Sequence, residues 1–146
     1  MSAPTTLGLP LPITATFALP LSLYYLLLQT RVVRHRLATR TIIAHQITSS
    51  PSDPLLAAVR AQTNFAENVP LALILAGVVE SNGGSKRVLA YALGALVALR
   101  VAHADFGIMR EGYLGWGRPM GYFGTQVVVA WLAGWAGWLS LGYWGL

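Results

Sequence analysis

The sequence predicts an all-α integral membrane protein, a four-helix bundle formed by a single domain. Three observations lead to this class. First, 55% of the 146 residues are apolar and only 10% are charged, whereas an ordinary soluble domain carries about 25% charged residues. Mean hydropathy is +0.55, and a chain this short cannot enclose that much apolar surface in one water-soluble core. Second, the apolar residues fall into four runs, each near the ~20 residues that carry a helix across a bilayer. Third, the runs lack strand alternation, and lipid offers no partner to unpaired backbone groups, so helix is the only open-chain solution.

The first run extends from Leu11 to Gln29 and contains Pro20, a kink that membrane helices tolerate. It leads into "RVVRHRLATRTIIAHQITSSPSDP", Arg31 to Pro54, a polar loop whose Ser/Pro/Asp end reads as a turn. The second run, Leu55 to Val79, has Ser52 or Asp53 as its candidate cap and Pro54 in its first turn. A tight link, "SNGGSKR", separates it from the third run, Val88 to Phe106. The glycine-rich "GIMREGYLGWGRP" then joins the fourth, Met120 to Trp144. There is no internal repeat.

Basic residues set the expected orientation. Arg31, Arg34, Arg36 and Arg40 precede the second run and Arg110 and Arg118 precede the fourth, six cations against Lys86 and Arg87 in the middle link. The first and third connections are therefore expected in the cytoplasm and both termini on the far side. The fourth run repeats small residues at helical spacing (Ala130, Gly134; Ala133, Gly137), which suits close helix contact. Trp131, Trp135 and Trp138 form a stripe that reads as lipid-facing or packing bulk.

Composition also limits function. Without cysteine there is no disulfide and no thiolate metal site. The net charge of +5 is dispersed in short clusters rather than a continuous basic face, so nucleic acid is not an expected partner. No basic segment precedes the first apolar run, so a cleaved signal peptide is not expected.

Polar residues inside the apolar runs carry the chemistry. Within "RAQTNFAENVPLALILAGVVE", Arg60, Asn64 and Glu67 fall in a ~60° sector of a helix, with Gln62 and Asn68 to the sides. Lipid exposure of such charges costs a few kcal/mol or more, so the stripe must meet protein or a wet cavity. Two readings satisfy that demand: an ion-pair network fixing helix register, or a binding site. At the same expected membrane level lie Arg100 and His103, one turn apart, then Asp105, Arg118, Tyr122 and Arg31. Individually these have plain explanations: interfacial anchors, a packing histidine, an Arg100–Asp105 pair. Together they surround one zone with cations and a carboxylate, which suits a small ligand bearing carboxylates and an ammonium group.

These residues match a family. "RAQTNFAENVP", with Arg60, Asn64, Glu67 and Pro70, resembles the second-helix motif of the MAPEG proteins, the membrane-associated proteins of eicosanoid and glutathione metabolism. "RVAH", Arg100 to His103, and "RPMGY", Arg118 to Tyr122, are similar to third- and fourth-helix elements of that family. The resemblance implies a homotrimer of four-helix bundles binding glutathione between subunits near the cytoplasmic face. It implies that Arg60, Asn64 and Glu67 hold the tripeptide's polar ends, and that Arg31 and Gln62 reach in from the adjacent subunit. Arg100, His103 and Tyr122 complete the binding set, and Arg118 is the expected catalytic residue beside the sulfur. A transferase acting on a lipophilic electrophile is the leading expectation; a glutathione-dependent isomerase or peroxidase, or a non-catalytic scaffold, are its rivals. The membrane would be the endoplasmic reticulum or another internal membrane in a eukaryote, or the inner membrane in a bacterium. Two positions depart from the pattern: Gly107 stands where several members carry tyrosine, with Tyr113 nearby as a partial substitute, and Asn68 stands where one branch carries an aromatic residue.

Overall fold

The structure, a computed structural model, describes residues 10–40 and 53–145. The segment before residue 10, on which the signal-peptide reading rests, lies outside the described residues, as do the rest of the first loop and Ser52. Among the described residues the fold is wholly helical. Helix α1 spans Pro12–Thr39, α2 Pro54–Ser81, α3 Lys86–His103 and α4 Gly117–Ser140. A π-helical turn, Ala104–Ile108, prolongs α3, and 3-10 turns lie at Glu111–Tyr113 and Leu141–Trp144.

Helix α1 is the main departure from the sequence reading. Arg31 to Thr39 belongs to the helix, not to a loop. The apolar run ends at the first arginine, but Arg, Leu and Ala are all strong helix formers, so the backbone continues after the hydropathy stops. At 1.5 Å per residue, 28 residues reach about 42 Å, well beyond the ~30 Å hydrocarbon layer. The basic end therefore stands clear of the apolar span. Arg40 closes the helix in the left-handed conformation (φ 55°), its N–H bonded to the Arg36 and Leu37 carbonyls.

The two ends of the α1–α2 pair are capped differently. Asp53 caps α2, accepting from the Leu55 and Leu56 N–H groups at 2.8 and 3.4 Å, with Pro54 following it. Helix α1 has no side-chain cap of its own. Instead the Glu80 carboxylate, from the far end of α2, accepts from the Ile13 and Thr14 N–H groups at 2.8 Å each and from Thr14 Oγ1 at 2.7 Å. A negative group at a helix N-terminus satisfies its free donors and its dipole together.

Helix α2 occupies the middle of the bundle. It buries ten residues against two in α1, with Ala61, Phe65, Ala72, Ala76 and Val79 packed on Leu21 and Leu28 of α1 and Leu89, Leu93 and Leu96 of α3. The most extensive pairings are α1 with α2 and α3 with α4. Among the described residues, three helices are long and apolar enough to span a membrane: α1, α3 with its π-helical prolongation, and α4. Four spans were expected. Helix α2 has the length, but its polar stripe dilutes its hydropathy, as befits the helix most covered by protein. Leu19, Leu23, Ile74, Val127 and Trp138 face outward on the bundle, as lipid requires.

Glycine draws α4 onto α3. A Cβ at Gly121 would overlap the His103 Cβ and lie 2.6 Å from the Leu99 carbonyl oxygen. Gly121→Ala is therefore expected to overpack this contact by about 1–3 kcal/mol and to lower the melting temperature in detergent by roughly 3–10 °C. An unchanged melting curve would refute the contact. The small residues expected to mediate helix contact do not do so within the chain: Ala130, Ala133, Gly134 and Gly137 are exposed, and a Cβ at Gly134 or Gly137 meets nothing within 4 Å.

Candidate functional site

A cavity of about 780 Å³ opens at the end of the bundle where α2 and α4 begin. One wall is the α2 face bearing Leu56, Arg60, Thr63, Asn64 and Glu67. The opposite wall brings His103 from α3, Ile108 from the π-helical turn, and Arg118, Pro119 and Tyr122 from α4. Tyr113 and Leu114, from the α3–α4 connection, close the mouth. Helical spacing thus brings the trio Arg60, Asn64 and Glu67 to one surface, and His103, Arg118 and Tyr122 face it.

The charges of the trio are not spent on each other. Among the described residues the ion pair is Arg31 with Asp105, and neither Arg60 nor Glu67 has a hydrogen-bond or ionic partner. A register-fixing network would pair them. Asn64 is differently employed: its Oδ1 accepts from Arg100 Nη1 at 2.8 Å. Since the carbonyl end is taken by a group that can only donate, the amide NH2 is the end left to present donors to a guest.

Arg100 is a correction to the sequence reading. It is 2% exposed and lies behind the cavity wall rather than in it. Its other terminal nitrogen donates to the Gly121 carbonyl at 2.5 Å, so it ties α2 to α4 and fixes Asn64. Nor does Arg100 pair with Asp105, whose partner is Arg31. His103 donates from Nδ1 to the Arg118 carbonyl at 2.9 Å; a carbonyl only accepts, so Nδ1 carries the hydrogen and Nε2 is the acceptor of the neutral ring. Arg118 donates from Nη1 to the Tyr113 carbonyl at 3.0 Å, which leaves most of its five N–H donors for the cavity.

Arg31 and Gln62 do not line this chain's cavity. Gln62 Nε2 donates to the Tyr25 hydroxyl at 3.0 Å, and Gln29 Nε2 reaches the same oxygen at 2.9 Å. Gln62 therefore belongs to a separate polar cluster between α1 and α2, with the Tyr25 ring stacked on Phe65 at 5.9 Å, while Arg31 pairs with Asp105 on the π-helical turn.

Sequence reasoning left Gln126 out. Gln126 Nε2 donates to Asn68 Oδ1 at 2.9 Å and links α4 to α2 beside Glu67; its position one turn after Tyr122 was the available signal. Tyr113 holds a left-handed backbone (φ 59°) and donates from its hydroxyl to the Asp53 carbonyl at 2.9 Å, fastening the mouth to the start of α2. Gly107 is a packing requirement. A Cβ there would lie 2.5 Å from the Arg118 nitrogen and 2.7 Å from its Cα, so a tyrosine does not fit in this arrangement.

Fold and site together define the class, a helical integral membrane protein with a cavity of opposed charges at one end of its bundle. The MAPEG family model matches residues 14–138, most of the chain, and the chain belongs to that family. Neither the curated proteins nor the solved structures gave a match.

Proposed function

We propose that the protein is a membrane-bound glutathione transferase-like enzyme that activates the glutathione thiol for attack on a lipophilic electrophile. The observation that carries this reading is the pair of unpartnered opposite charges, Arg60 and Glu67, on the wall of one cavity. Both side chains are exposed and unpaired, so they are free to meet a guest, and a tripeptide with two carboxylates and an ammonium group offers the complement. The volume of about 780 Å³ accommodates such a ligand and leaves room for a second reactant.

In this reading Glu67 accepts from the ammonium group, Arg60 takes a carboxylate, and the Asn64 NH2 donates to a further oxygen. Arg118 lies beside the sulfur. A free thiol has a pKa near ~8.5 and reacts as the thiolate, and an adjacent guanidinium favours that anion by ~1.4 kcal/mol per unit of lowering. His103 and Tyr122 line the pocket. In a homotrimer, Arg31 and Gln62 would approach the cavity of the neighbouring subunit, a role that accounts for their facing away from their own. MAPEG membership supports glutathione as the co-substrate.

Product analysis tests the reaction. With a chlorinated aromatic acceptor, the sulfur forms a C–S bond, the C–Cl bond breaks and chloride leaves. The expected product is a thioether whose formation depends on both protein and glutathione. An isomerised lipid or glutathione disulfide as the sole product from a panel of lipophilic acceptors would replace transfer with isomerase or peroxidase chemistry.

A further inference from the structure

The π-helical turn Ala104–Ile108 has two sides. On the inner side, Ile108 lines the cavity and Gly107 lies against the backbone of Arg118. The Gly107 carbonyl also accepts from the Arg110 and Gly115 N–H groups at 3.4 and 3.3 Å, ordering the connection into α4. On the outer side, Asp105 points to α1. One carboxylate oxygen accepts from Arg31 Nη1 and the other from the Tyr24 hydroxyl, the latter at 3.1 Å. Neither Tyr24, Arg31 nor Asp105 lines the cavity.

We propose that Asp105 is a positioning residue: with Tyr24 and Arg31 it clamps the π-helical turn to α1 and thereby holds Arg118 and His103 at the cavity wall. Three physical points carry this. A π turn, closed here by the Met109 N–H on the Ala104 carbonyl at 2.9 Å, is a rare form that reverts to α-helix unless its surroundings fix it. The Asp105 side chain is 29% exposed and Arg31's is 28%, and a partly buried pair is screened less than an exposed one, which favours the clamp. The linkage is also short. Asp105 is two residues from His103 and two from Gly107, and His103 in turn bonds the Arg118 carbonyl. Helix α1, which contributes nothing to the cavity lining, is thus tied to the π-helical turn on the cavity's α3–α4 side by one carboxylate. Release of the clamp lets the turn relax, shifts the Gly107–Arg118 contact, and moves the guanidinium.

The catalytic part of this inference rests on the transferase reading; the structural part does not, and the experiment separates them. In detergent without glutathione, the His103 imidazole resonance, assigned with His103→Gln, reports the geometry directly. Asp105→Asn and the milder Tyr24→Phe are expected to shift that resonance and its titration, the first more than the second, and Asp105→Glu to restore it. With glutathione and acceptor, Asp105→Asn is expected to lower kcat about tenfold while the KM for glutathione changes less than about threefold. Tyr24→Phe leaves the Arg31–Asp105 pair in place, so its smaller effect on kcat isolates the clamp from any role of Arg31 in a neighbouring subunit, which would appear in KM. An unmoved His103 resonance in both variants would overturn the proposal. So would a loss of kcat that Asp105→Glu does not recover and that a core control, Leu93→Ala, reproduces at equal loss of thermal stability. If the wild type binds no glutathione, the transferase reading falls and the resonance arm alone decides the clamp.

Discussion

Replacing Arg118 with alanine is expected to cut the thiolate fraction of bound glutathione at pH 7 from a majority to a few per cent, about 20-fold. The figure follows from a shift of roughly two pKa units between a sulfur facing a guanidinium and one that does not. Arg118 is suited to supply it. It lines the cavity, its hydrogen bond to the Tyr113 carbonyl leaves donors free, and its backbone is seated against Gly107. The rate at pH 7 falls less than the thiolate fraction, because a more basic thiolate is the better nucleophile, with a Brønsted slope of about 0.4–0.5. The sign of the pH effect is clear: the variant regains activity as pH rises toward about 9, where even an unassisted thiol ionises. Arg118→Lys keeps the charge and should retain part of the thiolate. Thiolate absorbance and pH–rate profiles identical to the wild type in Arg118→Ala would take Arg118 out of the mechanism.

Removing either charge of the α2 stripe should have the second large effect. Glu67→Gln or Arg60→Ala each deletes a charge-assisted hydrogen bond of about 1.5–3 kcal/mol to glutathione, so affinity is expected to fall roughly 10- to 150-fold. Stability should move the other way or stay put. Because neither side chain has a partner in the fold, Glu67→Gln strands no cation and removes an uncompensated anion. This separates the two readings left open by the sequence. In a register-fixing network, Glu67→Gln would break a buried pair and cost about 3–5 kcal/mol. A binding site predicts weaker glutathione binding in a bundle that melts no earlier than the wild type. Destabilisation with unchanged binding would favour the network and remove the site.

The trio was legible because helical periodicity alone places residues 60, 64 and 67 on one face, whatever packs beside them. His103, Arg118 and Tyr122 were legible for a related reason: they sit within the first or last two turns of the helices whose ends border the cavity. Arg100 was not, although it lies one turn before His103. Which side of α3 faces α2 and which faces the cavity is settled by the close seating of α4 at Gly121, a contact that spacing does not reveal. Pairings between distant residues were equally hidden. Glu80 caps α1 through Ile13, 67 residues earlier, and Asp105 chose Arg31, 74 positions away, over the nearby Arg100. The α1 boundary was misplaced because hydropathy marks where lipid ends, whereas backbone hydrogen bonding marks where a helix ends. The π-helical turn leaves no trace in composition, since it changes the phase of a helix by a single residue.

The whole account turns on whether the cavity recognises glutathione through its free charges, and calorimetric titration of the purified wild-type protein in detergent with glutathione tests that most directly. The account predicts saturable heat with a dissociation constant below about 1 mM, lost when the same titration is run on Glu67→Gln. Heat that never saturates, or saturable heat that Glu67→Gln leaves intact, would contradict it.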